Sequence, residues 1–99
     1  MKDREHNYYV YLMASRMLVL YCGVTSNIGC RVGQHKDHET PGFCATYNCD
    51  RLVWFERYQY IGNAIAREKQ IKNWRREKKL ALVNAANSSW VDLSEGWFD

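Results

Sequence analysis

Apolar positions along this chain follow two different periods. Tyr8 to Met13 (YYVYLM) and Leu18 to Val24 (LVLYCGV) are aromatic and β-branched, which predicts two strands. The short polar link Ala14-Ser15-Arg16 predicts that they pair as a hairpin. After Val24 the triplet Thr25-Ser26-Asn27 offers helix N-caps, and Ile28, Arg31, Val32 and His35 recur at helical spacing, so a first helix is expected from about Asn27 to Asp37. Gly29 and Gly33 fall inside it at about 1 kcal/mol each relative to alanine, which weakens the helix unless something packs closely against that side. His38 to Asn48 contains the one proline, followed directly by glycine, and reads as a loop. Arg51 to Tyr58 (RLVWFERY) alternates as a third strand. Gly62 then opens a helical stretch through about Lys79, with Leu80 to Ala86 continuing as a short helix or turn. The closing "NSSWVDL" and "WFD" should fold their tryptophans back over the core.

This order predicts a small α/β fold with a three-stranded, mainly antiparallel sheet flanked by helices. Its 99 residues suit one compact domain covering the whole chain, with a core from about 8 to 93. With 46% apolar and 25% charged residues, the composition is that of a folded protein. The N-terminus, MKDREHN, lacks the apolar run of a signal peptide, and no segment approaches the roughly 20 apolar residues of a membrane span. A cytoplasmic protein without membrane contact is expected, and in that compartment Cys22, Cys30, Cys44 and Cys49 should be free thiols. A zinc site through His35, His38, Cys44 and Cys49 is the weaker reading, because the gap between those two cysteines is at the loose end of ligand spacing.

Charge and chemistry change the picture in three places. The net charge of +3 decides little, but Arg67, Lys69, Lys72, Arg75, Arg76, Lys78 and Lys79 are crowded into one run with only Glu68 and Glu77 against them. Such a patch suits a polyanion. In the same helix Ile61, Ala64, Ile65, Ile71 and Trp74 trace an apolar stripe, and Glu68 lies in it, so its carboxylate should face inward and need a cation, a donor or a metal ion. The plain alternative is a salt bridge. Arg31 and His35, four residues apart, share one helical face, which suits an anion such as phosphate held between them or a merely solvated rim. Tyr11 and Tyr21 stand in the two strands. Each alone reads as core, yet a phenol near a cation loses its proton more readily than its ordinary pKa of about 10 implies. Phosphodiester hydrolysis needs an activated water, a cation against the developing charge, and help for the leaving oxygen. Tyrosine, arginine, histidine and glutamate together supply that set.

The tripeptides Tyr9-Val10-Tyr11 and Tyr21-Cys22-Gly23, followed by Arg31, His35 and Glu68 at their respective spacings, resemble the GIY-YIG nuclease superfamily. The segment AIAREKQIKNWRREKKLALV followed by NSSWVDL is similar in particular to the small stand-alone bacterial members, and the resemblance covers about Tyr8 to Leu93. The chain departs from the pattern at Tyr9, where the family has glycine, at Cys22, where it has isoleucine, and at Val24, where some relatives carry lysine. The resemblance implies a three-stranded sheet carrying both tyrosines and one divalent ion, Mg2+ or Mn2+, on Glu68. Arg31 would steady the scissile phosphate, Tyr21 with Tyr11 would position or deprotonate water, and His35 would assist proton transfer. The family's late asparagine matches Asn84 or Asn87, with Asn87, before Trp90, the better match. The implied function is a metal-dependent endonuclease acting on nucleic acid, DNA ahead of RNA, in repair or processing, leaving 5′-phosphate and 3′-hydroxyl ends. The basic run would track the backbone. The alternative is a non-catalytic nucleic-acid-binding module on the same fold.

Overall fold

The computed structural model describes residues 7–37 and 48–98. Three strands, β1 (Tyr8–Ala14), β2 (Leu20–Thr25) and β3 (Arg51–Tyr58), form an antiparallel sheet in the order β2-β1-β3. Around it lie α1 (Ile28–Lys36), α2 (Ile61–Lys72) and α3 (Arg76–Ala86). This is the α/β arrangement that the alternating pattern predicts. His38, Cys44 and the rest of the predicted loop up to Tyr47 lie outside the described residues.

As the central strand, β1 is buried on both faces, and its alternation divides two cores. Val10, Leu12 and Ala14 join Cys22, Val53 and Trp54 on the side covered by Ala64, Ile71 and Val83 of α2 and α3. Tyr11 and Met13 face the other way, against Val32 of α1 together with Cys49 and Leu52. The pairing sets Tyr11 opposite Gly23 on one side and Phe55 on the other. That register fixes the site described below.

The first helix follows the expected bounds because its cap is local. The Asn27 side chain accepts a hydrogen bond from the Cys30 N–H at 3.0 Å, and the chain leaves the helix at Asp37. A Cβ on Gly33 would sit 3.3 Å from the Phe98 ring, so this glycine lets the C-terminal segment lie close on the helix. Gly29 has no such neighbour: a Cβ there would meet only its own cap, 3.8 Å away.

Three expectations need correction. The stretch from Gly62 to Ala86 is two full helices rather than one long helix with a short continuation. The chain tightens after Lys72, where the Trp74 N–H bonds to the Ile71 carbonyl at 3.0 Å, and Arg75 turns extended before α3 begins. Of the predicted apolar stripe, Ala64 and Ile71 are buried, whereas Ile61 and Ile65 are exposed. Finally, the hairpin link runs from Ser15 to Val19, with Leu18 in the left-handed region at φ 62°. Ser15 supports that strained turn by accepting from the N–H groups of Met17 and Val19 at 3.2 and 3.0 Å.

The C-terminal segment returns to the start of β3, with Trp90 packed against the core and Trp97 edge-on to Phe55. Asp92 is its fastening point, accepting from Lys36, from the Leu52 N–H and from both donors of Ser94. Burial alone would raise this carboxyl, but the bonds from Lys36, Ser94 and Leu52 outweigh it and hold the group below its ordinary value. A carboxylate depressed in the folded state contributes stability above its unfolded pKa and loses it as pH falls through the folded value. Asp92→Asn is therefore expected to cost about 2 kcal/mol near neutral pH. Below about pH 4 the gap from wild type should narrow. Urea melts at pH 7 and pH 3 test both parts, and an unchanged gap at low pH would remove the carboxylate as its cause.

Candidate active site

Tyr11 crosses the sheet toward β2 over a residue with no side chain. A Cβ at Gly23 would lie 2.6 Å from the Tyr11 hydroxyl and 2.7 Å from the ring carbon that bears it, so only glycine leaves the phenol its place. That place brings the Tyr11 hydroxyl within 2.8 Å of His35 Nε2 on α1. Tyr21 completes the cluster, its ring 5.1 Å from His35 and 6.2 Å from Tyr11 between centroids.

The tautomer of His35 follows from what surrounds its other nitrogen. Nδ1 is buried with no hydrogen-bond partner among the described residues. A buried lone pair without a donor is more readily tolerated than a buried N–H without an acceptor. Nε2 therefore carries the hydrogen and donates it to the Tyr11 oxygen, which fixes the orientation of the phenol. Burial, and then the Arg31 guanidinium one turn earlier, lower the His35 pKa, so the imidazole is neutral at neutral pH.

The carboxylate arrives from the opposite layer. Glu68 falls on the buried line of α2 with Ala64 and Ile71, and its side chain is 14% exposed. Its backbone carbonyl lies near the Cys22 thiol, and one turn on the Lys72 ammonium sits 2.9 Å from Glu68 Oε2. Lys72 and Lys79 line one hollow of about 220 Å³ with Leu20, Tyr21 and Cys22. This hollow places the ammonium of the Glu68–Lys72 pair beside Tyr21. Cys22, in the middle of the second tripeptide, is an inert wall: burial, and then the charge of Glu68, push its thiol up to about 11.

Other candidate residues lie elsewhere. Asn87 is buried at the end of α3 with its amide fully engaged, donating to the Val53 and Val91 carbonyls and accepting from the Val91 N–H. It ties the C-terminal segment to β3, while Asn84 accepts from the Trp90 indole. The basic run is divided between two helices. Arg67 is held by Glu56 and Gln70 and lies over the rings of Trp54 and Trp74. Lys78 sits on the Trp74 ring, and Arg76 donates to the Leu18 carbonyl. Lys69 and Arg75 are exposed. The i, i+4 spacing from Glu68 is the sequence signal that singles Lys72 out from this run.

A divalent ion has one carboxylate to meet here. Among the described residues no three His, Cys, Asp or Glu side chains gather as a metal cage. Glu68 nonetheless suits a cation, since an ammonium already occupies the approach to its oxygen. One carboxylate fits an ion such as Mg2+, which keeps much of its water and takes further oxygens from a substrate phosphate.

A three-stranded antiparallel sheet with two tyrosines, an arginine–histidine helix face and an inward glutamate defines a class of small α/β domain. The chain belongs to the GIY-YIG family: the model of the GIY-YIG catalytic domain matches residues 7–81. This is a nuclease superfamily whose general ligand is nucleic acid and whose members typically use a divalent metal. Among relatives, a UPF0213 protein of Natronomonas pharaonis is 34% identical over 77 residues, covering 78% of this chain and 91% of that one. Another, from Haloquadratum walsbyi, is 33% identical over 76 residues, with 77% and 85% covered. The solution NMR structure of a UPF0213 protein from Bacillus halodurans shares the fold, with a TM-score of 0.56 at 23% identity over 91% of this chain and 97% of that one. Among the described residues no helix is long and apolar enough to cross a membrane.

Proposed function

We propose that the protein is a divalent-metal-dependent endonuclease that hydrolyses phosphodiester bonds of nucleic acid, DNA ahead of RNA, in a repair or processing role. The observation that carries this reading is the buried Tyr11–His35 contact of 2.8 Å, packed against Tyr21, whose hollow is shared with the cationic partner of Glu68. It combines an oriented phenol with a cation-seeking carboxylate. Arg31 grips the scissile phosphate through its planar fork. Tyr21, which lines the hollow, orients the attacking water, while Tyr11 and His35 hold the neighbouring hydrogen bonds in one arrangement. Glu68 would hold one Mg2+ or Mn2+, whose chemistry is to neutralise charge on the phosphate and on the departing oxygen. The water oxygen bonds to phosphorus, the bond from phosphorus to the 3′ oxygen breaks, and the proton lost by the water is matched by one gained at that oxygen. The products are a 5′-phosphate and a 3′-hydroxyl. Asn87 serves by fixing β3 rather than by touching substrate. Exposed Lys69 and Arg75, with Lys79 at the hollow, meet backbone phosphates on either side.

The test is a panel of labelled single-stranded, nicked and branched DNA and RNA, incubated with Mn2+ or Mg2+ and with a chelator. Cleavage that leaves 5′-phosphate ends and stops on metal removal is expected. Salt-sensitive binding with no cleavage by any metal would replace this reading with a binding module.

A further inference from the structure

Lys72 is placed differently from the other cations of its run. Arg67 is locked between Glu56, Gln70 and two indole rings. The Lys72 side chain is half exposed and meets Glu68 through one contact of 2.9 Å, yet it also lines the hollow beside Tyr21 and Lys79. Its ammonium stands between two demands. On one side is a carboxylate that is 14% exposed, so the approach Lys72 occupies is a large share of the access that carboxylate has. On the other is a hollow where a second ammonium, that of Lys79, already favours an anion.

Building on the metal-dependent nuclease reading, we infer that Lys72 is an exchangeable counter-ion of Glu68: it weakens divalent-ion binding in the free protein and moves to the substrate phosphate when nucleic acid binds. An ammonium at Oε2 and a divalent ion on the same carboxylate stand close enough to repel strongly, and that repulsion weakens the metal while Lys72 stays in place. A phosphodiester entering the hollow offers Lys72 an alternative anion beside Lys79, reached by rotation of a flexible four-carbon stem. Departure of the ammonium opens Glu68. Metal and nucleic acid consequently bind with positive coupling, and linkage requires each to tighten the other by the same factor.

The experiment measures Mn2+ affinity by electron paramagnetic resonance of the free ion, without and with a single-stranded phosphorothioate oligonucleotide that resists cleavage. Lys72→Met keeps the stem and removes the charge, and Lys72→Arg keeps the charge. In the free protein Lys72→Met should bind Mn2+ about tenfold more tightly than wild type. The oligonucleotide should tighten binding several-fold in wild type and Lys72→Arg, but little in Lys72→Met. Equal Mn2+ affinity of wild type and Lys72→Met, or no effect of the oligonucleotide on wild type, overturns the inference while leaving the nuclease reading standing. Mn2+ binding that survives in Glu68→Gln, or is absent throughout, overturns the metal role of Glu68 and this inference with it.

Discussion

Gly23→Ala is expected to destabilise the protein by about 2–3 kcal/mol and to lower cleavage by at least about 100-fold. In most strands the same change is mildly favourable, because alanine loses less backbone freedom on folding than glycine does. The sign reverses here because the new methyl would stand 2.6 Å from the Tyr11 hydroxyl and 2.7 Å from its ring carbon. The ring has nowhere to retreat: Tyr11 is fully buried, held by His35 at one end and by the central strand at the other. Either β2 separates from β1, which weakens the hairpin, or the phenol turns away and breaks its contact with His35. Urea melts read the first outcome and the cleavage rate reads the second. Gly23→Ala combined with Tyr11→Leu separates steric conflict from a general fault in β2, since removing the phenol should restore most of the stability lost. A Gly23→Ala protein as stable and as active as wild type would show that Tyr11 is not held by this approach.

The parts of the fold legible in sequence are those with local causes. Strand β3 begins and ends where its alternation does, at Arg51 and Tyr58, and α1 is bounded by Asn27 and Asp37, which cap it. The break between α2 and α3 is not marked by glycine or proline. It arises from tertiary demand: Ala64 and Ile71 bury against the sheet from one axis and Val83 from another, so an unbroken rod could not serve both. Ile61 and Ile65 stay exposed because, at helical spacing, they fall on the edge of the line through Ala64, Glu68 and Ile71 that faces the sheet. The left-handed Leu18 was equally invisible, since the turn is stabilised by Ser15 rather than by the residue that bears the strain. Within the site, the inward direction of Glu68 and the shared face of Arg31 and His35 are consequences of helical period alone. The meeting of Tyr11 with His35 across 24 residues is not, because it depends on register and on the absence of a side chain at Gly23. Asn87 shows the opposite limit. Its amide is taken up by backbone at Val53 and Val91, a use that no motif spacing distinguishes from a place in the site.

Glu68→Gln should separate fold from chemistry. The amide has the volume of the carboxylate, and its oxygen can still accept from Lys72, so the helix keeps its packing beside Cys22. An i, i+4 ion pair of this kind is worth only about 0.3–0.5 kcal/mol, so the melting curve should move by no more than that. Cleavage should fall by about 1,000-fold or more, because the several kcal/mol that a Lewis acid contributes to the transition state are lost with the negative charge that would hold it. Binding of nucleic acid measured with a chelator present should persist with its salt dependence intact, since Arg31, Lys72 and Lys79 keep their charges. On one variant, stability and binding should thus hold while cleavage is lost. If cleavage survives in Glu68→Gln, the carboxylate is a structural partner of Lys72 and the phosphodiester chemistry must be assigned to other side chains. A marked loss of stability would instead mean that the ion pair holds α2 in place, and the loss of activity would then say nothing about metal.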